Sequence, residues 1–182
     1  MIIRILSLCL LVLAFCNAGT AQAAPARIII LRHAEKVSDL EKNLSPEGYA
    51  RAEALAKYFS SSGFLNTYGK PEIFFAASPK GNSSLRSVET VAPAAQVLKV
   101  PLDSSFDKDD GEDLMEYVLR NTKFDGKTVV ICWNRKGIPD LLNPLEGDFP
   151  KRWSENVFDR FWILEQQADR SYYLTSIPQD LY

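Results

Sequence analysis

Two uninterrupted apolar runs constrain this chain more than any other feature. They are Arg27-Ile28-Ile29-Ile30-Leu31 and Thr128-Val129-Val130-Ile131-Cys132-Trp133. Side chains on a strand alternate between its two faces, so a strand with one wet face reads apolar-polar-apolar. A run without polar interruptions needs apolar cover on both faces, as the inner strands of parallel sheets have. With 46% hydrophobic residues in 182 positions, the chain has material for such a core. A domain of this size buries roughly two-thirds of its unfolded surface.

The segments around the two runs alternate between strand-like and helix-like. Ser45-Pro46-Glu47 carries a helix start: a capping hydroxyl, proline at the first position and an acid at the positive end of the dipole. Tyr49, Ala52, Ala56 and Phe59 then give one apolar face, and Gly63 marks the expected stop. Glu72 to Ala77 reads as a second strand. A helix follows from about Ser84 to Leu98, where Pro93 predicts a kink or an early end. Leu102 to Phe106 reads as a short strand and Asp110 to Asn121 as a helix. Arg160–Glu165 and Ser171–Ser176, flanking Ala168-Asp169-Arg170, form an expected antiparallel hairpin at a sheet edge. The expected architecture is therefore α/β: a three-layer αβα sandwich whose mostly parallel sheet carries an antiparallel edge hairpin.

Residues 1–23 have the pattern of a cleavable secretory signal peptide. Arg4 precedes an apolar run from Ile5 to Phe15, and Ala21-Gln22-Ala23 offers small residues for cleavage. The run is shorter than the ~20 residues of a membrane span. The expected division is thus a signal peptide over 1–23 and one domain over 24–182, periplasmic or secreted, with no stable membrane anchor. Cys9 and Cys16 would leave with the signal, so Cys132 would remain alone and no internal disulfide could form. The net charge of −2 offers no bulk attraction for nucleic acid.

One count restricts the chemistry. The chain has a single histidine, His33, so any mechanism needing two imidazoles is excluded, as is a multi-histidine metal site. In parallel sheets, ligands bind at the carboxyl ends of the strands. Arg32-His33 leaves the first run at that edge, and Asn134-Arg135-Lys136 leaves the second. Arg86 opens the helix after the second strand. The expected fold thus brings separate basic groups to one rim.

Leu31-Arg32-His33-Ala34-Glu35-Lys36 resembles the signature of the histidine phosphatase superfamily, which includes cofactor-dependent phosphoglycerate mutases and many acid phosphatases. Asn43 to Gly48 with Arg51-Ala52 resembles that family's loop and first helix. Ser78-Pro79 and Ser84 to Thr90 resemble its second-arginine segment, and Val130 to Pro139 its second-histidine segment. Trp153, Asp159 and Ile177-Pro178-Gln179 also suit bacterial members. The resemblance implies a phosphoglycerate mutase-like fold and phosphomonoester hydrolysis without metal or cofactor. His33 would be the nucleophile, and Arg32 and Arg86 would clamp the phosphoryl group. Neutral imidazole can approach a dianion that repels carboxylates, and guanidinium forks match phosphate oxygens.

One position departs from the pattern. Where family members carry a second histidine, this chain has Arg135, which keeps charge and donors but has no neutral form. Losing one preorganised transition-state donor costs on the order of 10²–10³ in rate. The expectation is a site in which Arg135 joins Arg32 and Arg86 as a phosphate ligand while turnover is impaired. The alternative is a pseudophosphatase that holds a small phosphorylated molecule or free phosphate without turnover. A carboxyl group should protonate the leaving oxygen. Asp109, Asp110, Glu112 and Asp113 lie in the corresponding region, with Glu112 favoured; capping and charging the helix there is their other reading.

Overall fold

A computed structural model describes residues 24–38, 40–81 and 85–182. Residues 1–23, read above as an expected signal peptide, and Ser84 lie outside the described residues. The elements run β1 (Arg27–Arg32), α1 (Pro46–Ser60), α2 (Ser62–Tyr68), β2 (Pro71–Ala76), α3 (Arg86–Leu98), β3 (Leu102–Asp103), α4 (Gly111–Arg120), β4 (Thr128–Trp133), β5 (Arg160–Gln166) and β6 (Tyr172–Pro178).

The two apolar runs lie side by side at the centre of a six-stranded sheet ordered β3-β2-β4-β1-β5-β6. β1 pairs with β4 in parallel, from Arg27 opposite Thr128 to Arg32 opposite Trp133. β2 is parallel to β4 and to β3, while β5 runs antiparallel to both β1 and β6. The architecture is the expected α/β sandwich with its edge hairpin. Alternation along the strands feeds two cores. Ile28, Ile30, Val129, Ile131 and Trp133 face α4 and the segment from Ile138 to Trp153. Ile29, Leu31, Val130 and Cys132 face α1, α2 and α3.

Several local expectations change. Ser45 caps α1 by accepting from the Gly48 amide at 3.1 Å, as its position predicts. Tyr49 is exposed, however, and the buried stripe is Gly48, Ala52, Leu55, Ala56 and Phe59. The helix stops at Ser61 rather than Gly63, because the Ser61 hydroxyl starts α2 by accepting from Phe64 N. Pro93 lies inside α3, which continues to Leu98 and ends on Lys99 in the left-handed conformation. β3 is two residues long rather than five. Of the aromatics expected to pack, Trp133, Trp153, Trp162 and Tyr172 are buried, whereas Tyr173 is exposed on the outer face of β6.

Candidate active site

β1 delivers His33 to the carboxyl edge of the sheet. The strand's last residue is Arg32, and the His33 amide still donates to the Trp133 carbonyl at 3.0 Å. His33 is only 5% exposed. Its Nδ1 lies 2.7 Å from the Ala34 carbonyl, which can only accept, so Nδ1 carries the proton and the Nε2 lone pair is free. Burial depresses the imidazole to about 4, aided by Arg86, Arg32 and Lys36 and opposed by the Ala34 bond. At neutral pH His33 is therefore an uncharged imidazole with a defined tautomer.

Arg86 is the first residue of α3, and Thr90 ties that turn to the site. The Thr90 hydroxyl donates to the Arg86 carbonyl at 2.6 Å and accepts from the Ala34 amide at 2.9 Å. One side chain thereby registers α3 against the segment after β1. Glu89, one position earlier, accepts from Asn43 Nδ2, Leu44 N and Tyr49 Oη, which anchors the loop leading to α1. This is why Tyr49 leaves the apolar stripe.

Arg32 is 3% exposed and held on three sides. Its Nη1 donates to the carbonyls of Glu155 (2.5 Å) and Val157 (3.2 Å), and its guanidinium lies 3.7 Å from the centre of the Phe158 ring. Trp153 secures that wall by donating its indole N–H to Val157 O at 2.8 Å. Burial, with Arg135 and Arg86 nearby, lowers the Arg32 guanidinium to about 10. Arg32 Nε, Arg86 Nε and Arg86 Nη1 are buried donors without a partner among the described residues. Donors left in that state are costly unless a ligand meets them.

Arg135 follows β4 and lies farther out, with its side chain 30% exposed. Its Nη2 is 3.3 Å from Glu155 Oε1. Arg32, Arg135, Lys36, Lys136, Glu155 and Phe158 line a cleft of about 360 Å³. Sequence reasoning missed Glu155 and Phe158: their segment has no periodicity, and it grips Arg32 largely through backbone carbonyls. Glu35 does not serve the cleft, since Arg51 takes its carboxylate with Nη2 at 2.6 Å and Nε at 2.9 Å.

The acidic cluster stands apart from this arrangement. Glu112 is exposed in the first turn of α4, where its carboxylate accepts from Asn143 Nδ2 at 3.4 Å. Asp109 pairs with Lys108, and Asp110 accepts from the Asp107 amide. The carboxylate that lines the cleft is Glu155. A larger cavity of about 430 Å³ opens at the opposite edge of the sheet, beside Ala24, Leu119 and Tyr172, away from His33. Among the described residues no three His, Cys, Asp or Glu side chains are grouped to hold a metal, and no helix is long and apolar enough to cross a membrane.

No protein-family model and no curated protein matches this sequence. Solved structures do. The protein histidine phosphatase SixA complexed with tungstate matches with a TM-score of 0.58 at 14% identity, over 84% of this chain and 97% of that one. Phosphoserine phosphatase from Entamoeba histolytica, in complex with phosphoserine, matches with a TM-score of 0.55 at 14% identity, over 85% of this chain and 97% of that one. Phosphoglycerate mutase from Bacillus anthracis matches with a TM-score of 0.53 at 14% identity, over 88% of this chain and 95% of that one. At such identities the likeness is one of fold. It agrees with the fold that the Arg32-His33 and Arg86 segments led us to expect: this chain has a phosphoglycerate mutase-like α/β fold.

Proposed function

We propose that the protein hydrolyses phosphomonoesters through a phosphohistidine on His33, at a reduced rate. The observation that carries this reading is the pairing of a neutral, tautomer-fixed His33 with unpartnered guanidinium donors of Arg32 and Arg86. In the first step Nε2 attacks phosphorus in line, the phosphorus–oxygen ester bond breaks, and the leaving oxygen takes a proton. In the second, water attacks the phosphohistidine and releases phosphate, restoring the imidazole. Arginine forks stabilise the charge spread over the equatorial oxygens in both steps. Its place in the cleft supports Glu155 over Glu112 as the proton donor. The Gln variants separate them, because only loss of the true donor slows turnover of an ester with a poor leaving group.

The reduced rate follows from Arg135, which offers donors on a longer, permanently charged arm and is turned toward Glu155. Arg135→His should raise hydrolysis at least tenfold; an unchanged rate would remove this explanation. The same Arg135–Glu155 contact, in a chain with one histidine, favours a second reading: phosphate binding without turnover. Incubation with a labelled phosphomonoester distinguishes the two. Turnover through His33 requires an acid-labile phosphoprotein that disappears in His33→Ala. Unlabelled wild type that still binds phosphate by calorimetry establishes the second reading instead. The pattern of residues 1–23 supports export, and sequencing the N-terminus of the cell-envelope or secreted protein tests cleavage after Ala23.

A further inference from the structure

Gln179, the first residue after β6, is a buried polar side chain that none of the chemistry above uses. Its Oε1 accepts from Arg51 Nη1 at 3.2 Å, and its Nε2 donates to the Arg160 carbonyl at 3.2 Å. Its own amide donates to the Asp159 carbonyl at 2.8 Å. A carboxamide accepts from a guanidinium and donates to a carbonyl at once, whereas a carboxylate only accepts and an alkyl chain does neither. The reverse orientation would set donor against donor and oxygen against oxygen. Both partners lead to the site.

Arg51 rises from α1 and holds the Glu35 carboxylate with Nε at 2.9 Å and Nη2 at 2.6 Å. Gln179 takes the third nitrogen, Nη1, so that all three are bound. Without that acceptor, Nη1 would find a partner only in water, and the long arm would be drawn outward. Glu35 closes the peptide whose oxygen, the Ala34 carbonyl, lies 2.7 Å from His33 Nδ1. Thr90 fixes that residue on its amide side, and the Glu35 side chain with the Ser45 amide fixes it on the other. On the second side of Gln179, Asp159 and Arg160 directly follow the segment whose Glu155 and Val157 carbonyls and Phe158 ring hold Arg32. One buried side chain thus joins the segment that orients the imidazole to the segment that orients the first guanidinium.

We propose that Gln179 is a positioning residue: through Arg51 and Glu35 it holds the Ala34 carbonyl in place for His33 Nδ1, which keeps the Nε2 lone pair presented to phosphorus. This rests on the phosphatase reading for the attack on phosphorus, though not for the state of the ring. A residue that merely filled space at the end of β6 would support the fold and leave the tautomer untouched.

The test follows the ring nitrogens of His33 by nitrogen-15 NMR near neutral pH, where no other histidine contributes. Wild type should carry the proton on Nδ1 alone. Gln179→Met keeps the volume and loses both side-chain bonds, so both tautomers should appear. Its kcat with p-nitrophenyl phosphate should fall at least about fivefold while KM changes less than about twofold. Gln179→Glu keeps the acceptor for Arg51 and loses only the donor to Arg160, so it should restore the Nδ1 tautomer and most of kcat. If Gln179→Met does not fold, Gln179→Asn, one methylene too short to span both partners, carries the same expectation. A proton that stays on Nδ1 when the bonds are lost overturns the proposal, whatever happens to the urea midpoint. So does a mixture already present in wild type, one that Gln179→Glu leaves unrepaired, or one that leaves kcat unchanged. Failure of the phosphatase reading looks different: wild type forms no acid-labile phosphoprotein and has no kcat to lose, while the tautomers still decide the role of Gln179.

Discussion

His33 is buried, neutral and alone of its kind, which makes its titration unusually easy to follow. Its imidazole should give one histidine resonance, moving with a midpoint near pH 4 rather than near 6.5. A midpoint at 6.5 would mean that the ring is not desolvated by the surrounding wall. The same depression has a stability consequence whose sign is fixed. Above pH 6.5 the ring is neutral in both folded and unfolded chains, and the full stability is present. As pH falls from 6.5 toward 4, the unfolded chain takes a proton that the folded one refuses, and up to about 3 kcal/mol is lost. Urea unfolding of wild type and His33→Gln should therefore diverge across that window, with wild type losing more. Parallel curves would count against the burial argument. At this scale the sequence was informative about placement, putting Arg32 and His33 at the end of β1 and Arg86 at the start of α3. It was silent on Glu155 and Phe158, because the carbonyls that hold Arg32 belong to no residue type.

Among the elements, α1 is the one seated most tightly against the site. A Cβ at Gly48 would lie 2.3 Å from the Glu35 carbonyl oxygen, which also accepts from the Ser45 amide at 2.9 Å. Alanine is the better helix former by about 1 kcal/mol, so on propensity alone Gly48→Ala would stabilise. The close approach reverses the sign: the helix start or the Glu35 backbone must move, costing roughly 1–3 kcal/mol. A lower urea midpoint checks this, and a raised one would show that the contact yields freely. Glu35 and Arg51 join the same two segments through side chains only 13% and 12% exposed. Glu35→Ala leaves a guanidinium buried without its partner and should cost about 3–5 kcal/mol. A loss below 1 kcal/mol would place the pair with ordinary surface ion pairs. The boundaries of α1 and α2 were hard to anticipate because serine capping, not glycine, ends one and begins the other. Likewise, the spacing that marked an apolar face could not tell that Tyr49 answers to Glu89.

On the scale of the whole molecule, the sheet separates two cores and buries Cys132 between β4 and α3. The thiol is fully buried, hydrogen-bonded by Thr90 and Ser87, and burial pushes its ionisation well above the usual range. In a chain carrying Cys9→Ser and Cys16→Ser, a thiol reagent should therefore label Cys132 only as fast as the domain opens globally. Labelling in the native state at the rate of an exposed thiol would show that α3 lifts from the sheet independently. The overall architecture was legible from composition of the strands alone, since two runs without polar residues admit few arrangements. Their neighbours were less so: β3 is two residues long, too short for any pattern to announce.

The strand order has a consequence for how the molecule comes into being. β1 is among the first segments made, yet its partners are positions 128–133 on one side and 161–165 on the other. Until β4 is made Ile28 to Leu31 has no strand neighbour, and until β5 follows the other edge of β1 stays unpaired. Such late closure makes folding slow and the unfinished chain prone to stick to others. A shortened product ending before β5 would thus expose the apolar edge of β1 and be prone to aggregate. In a chain of this topology the central strand gains its second neighbour only when positions 161–165 have been made.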